Sequence, residues 1–207
     1  MMRKVFFFLQ EYCHREPMFS GVLLYVLLAF VPGLTGNVPL GVMCIIRYIL
    51  PGLLAAAAAV AFFDAPRSFS GFRNCAKSVL WSSPVAILCV VNVVVGEFSP
   101  GSQVVTSVLA GVSEEFLCRL MLFPALSLYF RDKEQGELRA VLFSSLLFGV
   151  AHLSNLGGGA GVTKVLFQCC YTTLGGIVIA NGYRKSGSIC GGIFWLVLLN
   201  LTGTLFI

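Results

Sequence analysis

Residues 103–129 read QVVTSVLAGVSEEFLCRLMLFPALSLY, an apolar stretch interrupted only by Glu114, Glu115 and Arg119 among charged residues. The stretch is longer than the roughly 20 residues that a helix needs to cross a bilayer. Each ionised side chain at the centre of such a helix costs roughly 2.5–3.5 kcal/mol on insertion scales. Three of them together therefore indicate a structural or functional site inside a membrane-spanning helix.

The rest of the chain has the composition of a membrane protein. Its 207 residues are 57% hydrophobic and 11% charged, whereas a soluble domain carries about 25% charged residues. The net charge of +5 does not indicate nucleic-acid binding, because the basic residues are divided among short loops and form no stripe. We expect the lipid bilayer as a partner and no nucleic acid.

Apolar stretches of spanning length recur along the chain and predict an all-α, polytopic membrane helix bundle of about seven helices. Residues 18–207 would form a single transmembrane domain. Residues 1–17 would form a cytoplasmic or interfacial segment, since the apolar run Val5–Leu9 is too short for a signal peptide. The predicted spans are Met18–Leu34, Leu40–Phe63, Val79–Val95, Gln103–Tyr129, Leu138–Leu153, Val162–Asn181 and Ser188–Phe206.

The distribution of Lys and Arg predicts the orientation. With the N-terminus inside and the C-terminus outside, eleven of the fourteen basic residues fall in inner segments, as the positive-inside rule requires. We expect an integral protein, in the bacterial cytoplasmic membrane. The eight cysteines include no Cys-x-x-Cys pair, and most lie in apolar segments, so we expect them to pack as small hydrophobic residues.

The charged residues of the fourth span divide into a pair and a single carboxyl. Glu115 and Arg119 are four residues apart, on one helical face, and can neutralise each other. Glu114 is rotated by about 100° and lacks that partner, which makes it a candidate general base. The residues alone leave open a structural ion-pair cluster or the ion site of a transporter or channel. The absence of an internal repeat disfavours a transporter.

Two later spans supply further polar groups. His152 ends the fifth span, four residues after Phe148, and the short connection to the fourth span predicts antiparallel neighbours. We expect His152 to act with the carboxylate pair, although a lone histidine can also be a packing residue. Asn200 lies in the last span, where a buried amide needs partners. It can orient water or a substrate carbonyl, or join helices.

These residues resemble the motifs of the CPBP family of intramembrane proteases, also called Abi or CAAX-protease-like, and the type II CAAX prenyl endopeptidases in particular. The Glu-Glu-x-x-x-Arg motif matches Glu114, Glu115 and Arg119. The Phe-x-x-x-His motif matches Phe148 and His152. The resemblance covers about residues 104–200 and implies a membrane-embedded endopeptidase in which Glu114, Glu115, His152 and Asn200 carry catalysis. Arg119 and Phe148 would position them.

The third family motif, His-x-x-x-Asn or Asp, is degenerate. Asn200 is present, but Leu196 stands where the family has histidine. A divalent metal such as zinc, held by Glu114 and His152, stays open as a cofactor, but the two-histidine site of the family cannot assemble. Either Glu114 still activates water, or the protein is a catalytically impaired scaffold or regulator. The expected partners are accordingly a membrane-associated peptide or protein substrate, or a partner membrane protein.

Overall fold

The computed structural model describes residues 2–33, 39–63, 74–95 and 102–202. These residues form helices and connections without a strand, which confirms the predicted all-α bundle. The helices are α1 Met2–Arg15, α2 Pro17–Gly33, α3 Leu40–Cys44, α4 Leu50–Phe62, α5 Cys75–Trp81, α6 Ala86–Val95, α7 Ser102–Glu115, α8 Phe123–Phe130, α9 Gly136–Ala151, α10 Val162–Ser186 and α11 Cys190–Thr202.

Two long rods contain a π-helical insertion. The segment Ile45–Ile49 joins α3 to α4, and the segment Phe116–Leu122 joins α7 to α8. Three helical stretches of the described residues are long and apolar enough to cross a membrane: Leu40–Phe62, Gly136–Gly157 and Val162–Ser186. The rod 102–130 carries the three charged residues of the candidate site in addition to its apolar ones.

Each predicted span overlaps a helix, but the third differs from its prediction. It begins at Cys75 rather than Val79, and a 3₁₀ turn at Ser83–Val85 separates α5 from α6. Pro84 lies in this turn, and proline cannot donate the backbone hydrogen bond that a continuous helix needs there. The predicted ends Leu34 and Phe206 lie outside the described residues.

The exposed and buried side chains of the bundle differ in polarity as expected for a protein in lipid. Large aliphatic side chains such as Leu53, Leu80 and Ile87 are exposed, while Glu115 and Arg119 are fully buried. A soluble fold would show the reverse. The described bundle therefore encloses the Glu115–Arg119 pair and exposes many large apolar side chains, as expected of an integral membrane protein.

Small residues allow the helices to approach closely. A Cβ on Gly149 would overlap the Thr173 hydroxyl, and a Cβ on Gly176 would lie 3.2 Å from Phe148 and Ser145. These contacts join α9 to α10 along their length. Close packing at small residues is the usual basis of helix association in membranes, and here it brings Phe148 and Gly176 next to the charged rod.

The cysteine prediction is wrong for one pair. Cys75 and Cys190 form a disulfide, with a Cα–Cα distance of 5.0 Å across 115 residues of sequence. The bond joins the start of α5 to the start of α11. Its pairing depends on the tertiary approach of two distant helices, which local apolarity does not reveal. Cys13, Cys44 and Cys118 are buried, as packing cysteines are expected to be.

Helix α1 is amphipathic along its length. Its residues 5–9 are apolar and exposed, and the ring of Phe6 lies 5.9 Å from that of Phe62 in α4. The C-terminal part of the helix carries an ion pair between Arg15 and Glu11. An amphipathic helix of this kind suits the boundary between headgroups and acyl chains. The interfacial position of residues 1–17 stays a prediction.

Candidate active site

The candidate site begins at the junction of α7 with the π-helical segment. Glu114 and Glu115 are the last two residues of α7, and Arg119 lies within Phe116–Leu122. The chain is helical from 102 to 130, so both carboxyl groups project from one rod. Successive side chains on a helix diverge by about 100°, and the two glutamates consequently meet different neighbours.

Glu115 and Arg119 form the ion pair that their spacing predicts. The distance from Arg119 Nη1 to Glu115 Oε1 is 3.0 Å, and the side chains are 1% and 0% exposed. Arg119 Nη2 also donates a hydrogen bond to the carbonyl oxygen of Gly176, at 3.2 Å. A buried charge without a partner is strongly unfavourable, and the ion pair gives each of the two charges a partner inside the bundle. The hydrogen bond to Gly176 connects the rod to α10.

The guanidinium of Arg119 also reaches the predicted second motif. Its Cζ lies 5.4 Å from the ring centroid of Phe148, a distance at which cation–π attraction operates. The Phe148 ring in turn lies 5.2 Å from the His152 ring in an edge-to-face arrangement. The structure thus brings Glu115, Arg119, Phe148 and His152 into one continuous set of contacts between two neighbouring helices.

The hydrogen bond of His152 determines which ring nitrogen is available. Its Nδ1 lies 2.9 Å from the carbonyl oxygen of Phe148. A carbonyl oxygen can only accept, so Nδ1 carries the proton and donates. In the neutral ring Nε2 is then an acceptor. His152 is partly buried at the end of α9, and its Nε2 can accept a hydrogen bond from water.

Glu114 faces the last helix rather than the ion pair. Its carboxyl group interacts with the side chain of Asn200 within hydrogen-bonding reach. The Asn200 Nδ2 atom is buried and makes no hydrogen bond of good geometry within the described ranges. Buried amide groups normally find partners. An amide donor is therefore available beside Glu114 for an oxygen atom brought into the site.

Glu114 and His152 are the same number of residues away from the two ends of the loop that joins their rods. Glu114 comes sixteen residues before Phe130, and His152 comes sixteen residues after Gly136. The loop 131–135 joins the two rods, which run antiparallel with α8 packed on α9.

Leu196 occupies the position of the missing histidine and is buried. Its side chain is 3% exposed within the apolar core. A Cβ on Gly111 would lie 3.5 Å from the Leu196 carbonyl carbon and 2.9 Å from Val197 Cγ2. Helix α11 therefore packs directly on α7, about one turn from the carboxyl groups. At this point it presents the apolar side chain of Leu196, where the family has a polar imidazole.

The residues present do not form a zinc site. Structural and catalytic zinc sites take at least three protein ligands. Within the described part of the chain, no three His, Cys, Asp or Glu side chains are grouped to hold a metal ion. Glu114 and His152 lack a third ligand because leucine stands at position 196.

The family assignment rests on the middle and C-terminal parts of the chain. The sequence model of the type II CAAX prenyl endopeptidase Rce1-like family matches residues 81–202, more than half of the chain. The chain belongs to this Rce1-like family. The match includes Glu114, His152 and Asn200, and it begins before residue 104, where the motif resemblance starts. No curated protein and no solved structure is detectably similar to the chain.

Membership of the Rce1-like family establishes the class of the chain, a CAAX-protease-like membrane protein. Helices α1–α4 precede the matched residues. Of these, α2 and α4 nevertheless pack on the charged rod, both of them on its π-helical segment.

Sequence reasoning missed several neighbours of the carboxyl groups. Gly192 lies against Glu115, because a Cβ there would overlap the Glu115 carboxylate. Tyr25 and Tyr48, from helices before the family match, lie within electrostatic range of Glu114. The pair Gly191-Gly192 at the start of an apolar helix is a signal for close packing. No sequence pattern singles out the two tyrosines.

Proposed function

We propose that this Rce1-like protein is an intramembrane endopeptidase in which Glu114 activates water to hydrolyse a peptide bond at the membrane. The observation that carries the proposal is the position of Glu114 beside the buried, available amide of Asn200. A carboxylate next to a hydrogen-bond donor supplies a base for water and a stabiliser for the oxygen anion that forms.

The chemistry can be written with these two groups. The Glu114 carboxylate takes a proton from water while the water oxygen bonds to the carbonyl carbon of the peptide. The carbonyl π electrons move to its oxygen, and the Asn200 N–H donates to that anion. When the tetrahedral centre collapses, the C–N bond breaks and the Glu114 carboxyl returns the proton to the leaving amine. One acid and one amine result.

His152 and the ion pair have supporting roles in this proposal. The Nε2 of His152 accepts a hydrogen bond from the same water and orients its lone pair towards the peptide. Glu115 and Arg119 hold the rod against Gly176 and Phe148, so the catalytic carboxyl keeps its position. Holding the reacting groups in a fixed geometry lowers much of the activation free energy in reactions of this kind.

The substrate class follows from the family and from the surroundings of the site. A peptide or protein anchored to the membrane, such as one carrying a prenyl group, is the substrate we propose. The lysine and arginine distribution favours an N-terminus inside and a C-terminus outside, in a bacterial cytoplasmic membrane. The inner ends of the helices would then face the cytoplasm.

The decisive experiment compares Glu114→Gln with wild type in liposomes containing a prenylated reporter peptide, with cleavage measured by mass spectrometry. We expect the rate to fall by at least about 100-fold, the usual contribution of a general base. Glu134→Gln, in an exposed turn, is the matched control and should keep the wild-type rate. Equal cleavage by wild type and a folded Glu114→Gln protein would refute the mechanism.

A second function is favoured by Leu196. An apolar side chain in place of the family histidine is expected of a member that has lost catalysis and holds a partner membrane protein instead. This alternative predicts that purified wild type cleaves no prenylated peptide at all. It also predicts that Glu114→Gln leaves the associated membrane protein bound and the cellular phenotype unchanged.

A further inference from the structure

The turn that follows α9 begins with a candidate site residue. His152 is the first residue of a 3₁₀ helix, His152–Gly158, and this helix packs on α10. Its seven residues make it long for its type, because the poorer hydrogen-bond geometry of 3₁₀ helices makes runs of more than about three or four residues uncommon. A turn of this length depends on contacts with its surroundings, and those contacts affect the position of His152.

Asn155 makes such a contact. In 3₁₀ geometry side chains three residues apart lie one above the other, so Asn155 projects from the same side of the turn as His152. Its Nδ2 donates a hydrogen bond to Oε1 of Gln168 in α10, at 2.8 Å. Its backbone carbonyl oxygen accepts a hydrogen bond from the N–H of Ala160, at 3.3 Å. Asn155 thus joins the turn both to a neighbouring helix and to the residues that follow the turn.

Gln168 is a polar residue in a helix that is long and apolar enough to cross a membrane. Amide side chains in such helices bond to neighbouring segments of protein, since lipid offers them no partner. Thr172 lies one turn further along the same face of α10, and its hydroxyl donates to the Gln168 carbonyl oxygen at 2.7 Å. Both residues are half-buried. The bond from Asn155 gives the Gln168 amide a protein partner on this face.

His152 lies between two contacts of its own segment with α10. Three residues before it, Gly149 lies against Thr173, whose hydroxyl an added Cβ would overlap. Three residues after it, Asn155 bonds to Gln168. The ring also bonds through Nδ1 to a carbonyl oxygen one turn earlier in α9. Loss of the later contact would release the turn on one side of His152 and change the direction in which Nε2 points.

We infer that Asn155 and Gln168 are positioning residues for His152, whose mutual hydrogen bond holds the 3₁₀ turn against α10 and keeps Nε2 directed towards the attacking water. The inference deepens the proposed function and rests on it. Neither residue belongs to the motifs that identified the candidate site, and neither touches the peptide in the proposed reaction.

The test removes the amide of Gln168 with Gln168→Met, which keeps a side chain of similar length. We expect kcat for the prenylated reporter to fall by about 3-fold to 10-fold, the effect of losing one hydrogen bond between neutral groups. KM should stay within about twofold, since neither amide binds substrate. Gln168→Glu keeps an acceptor oxygen for Asn155 and should restore kcat to within about twofold of wild type. Thr172→Val, on the same face of α10, is the matched control and should keep the wild-type kcat.

A second comparison shows whether the amide pair acts through His152. In a His152→Ala background, whose remaining activity comes from Glu114 and Asn200, Gln168→Met should leave kcat unchanged. Asn155→Leu removes the same bond from the side of the turn and leaves α10 intact. It should cause the same loss as Gln168→Met, and the double variant should lose no more than either one.

A Gln168→Met protein with wild-type kcat would overturn the inference. An equal loss of kcat with and without the His152 imidazole would also overturn it, because the pair would then act on the bundle in general. If Glu114→Gln remains active, the proposed function itself fails. An inactive Glu114→Gln beside a fully active Gln168→Met defeats only the role of the amide pair.

Discussion

Gly192 lies directly against the carboxylate of Glu115, so closely that a Cβ at position 192 would overlap both carboxyl oxygens. The preceding residue, Gly191, makes a similar contact on another side of the same helix, where a Cβ would overlap the Ser78 backbone. Two consecutive glycines thus let α11 fit between α5 and α7. Helix α11, which carries Asn200, lies closer to α5 and α7 than residues larger than glycine at positions 191 and 192 would allow.

We expect Gly192→Ala to weaken the protein and its activity. Either the Glu115 carboxylate or α11 must move, and overpacking of this kind costs about 1–3 kcal/mol of unfolding free energy. Thermal unfolding in detergent micelles would measure the loss. Gly161→Ala is the control, because position 161 has no atoms within 4 Å of an added Cβ. Equal midpoints for the two variants would contradict the contact.

The buried ion pair predicts a characteristic pattern of variants. Arg119→Met leaves Glu115 buried without its partner, and we expect a loss of about 3–5 kcal/mol in unfolding free energy. The double variant Glu115→Leu/Arg119→Met removes both charges, so it should be more stable than Arg119→Met alone. Thermal unfolding of wild type, Glu115→Leu, Arg119→Met and the double variant completes the cycle. Additive losses would show that the two side chains do not depend on each other.

Periodicity alone is enough to predict much of this site. Glu115 and Arg119 are a helical turn apart, and one rod places them together wherever it lies in the bundle. The same reasoning puts His152 one turn after Phe148 at the end of the next helix. These contacts are local or lie between consecutive helices, which is why residue spacing determines them.

Contacts between distant helices are not predictable in this way. The disulfide between Cys75 and Cys190 depends on how α5 approaches α11. The close approach of α4 to α7 depends on Gly52, where an added Cβ would lie 3.4 Å from Ser113 Cα. Apolar composition indicates that helices pack but not which of their faces meet. Contacts between helices distant in sequence are therefore known only from the folded structure.

The disulfide leads to a prediction about stability. A bond across 115 residues of chain restricts the unfolded state, and its loss typically costs about 2–5 kcal/mol. Cys75→Ser, Cys190→Ser and the double variant should therefore share one lowered thermal midpoint, because each removes the same bond. In protein oxidised in air and kept without reductant, peptides containing Cys75 and Cys190 should be linked in mass spectrometry; the proposed orientation places both cysteines at the cytoplasmic ends of their helices, where cells keep thiols reduced. The exposed Cys170 should react with a maleimide before reduction. Free thiols at both positions would contradict the pairing.

Replacing Leu196 by histidine tests what the degenerate motif costs the protein. Leu196 lies one turn before Asn200, and the two share the face of α11 that meets α7. An imidazole there would add a proton-accepting group near Glu114, and groups of this kind contribute about 10²–10⁴-fold to hydrolysis when positioned well. We expect Leu196→His to raise the cleavage rate of a prenylated reporter by at least about 10-fold. Leu196→Gln, polar but without an imidazole, should not.

A folded Leu196→His protein that cleaves no faster than wild type would show that the leucine does not limit the reaction. Cleavage that depends on Leu196→His and is absent from wild type would support the scaffold function for the natural protein.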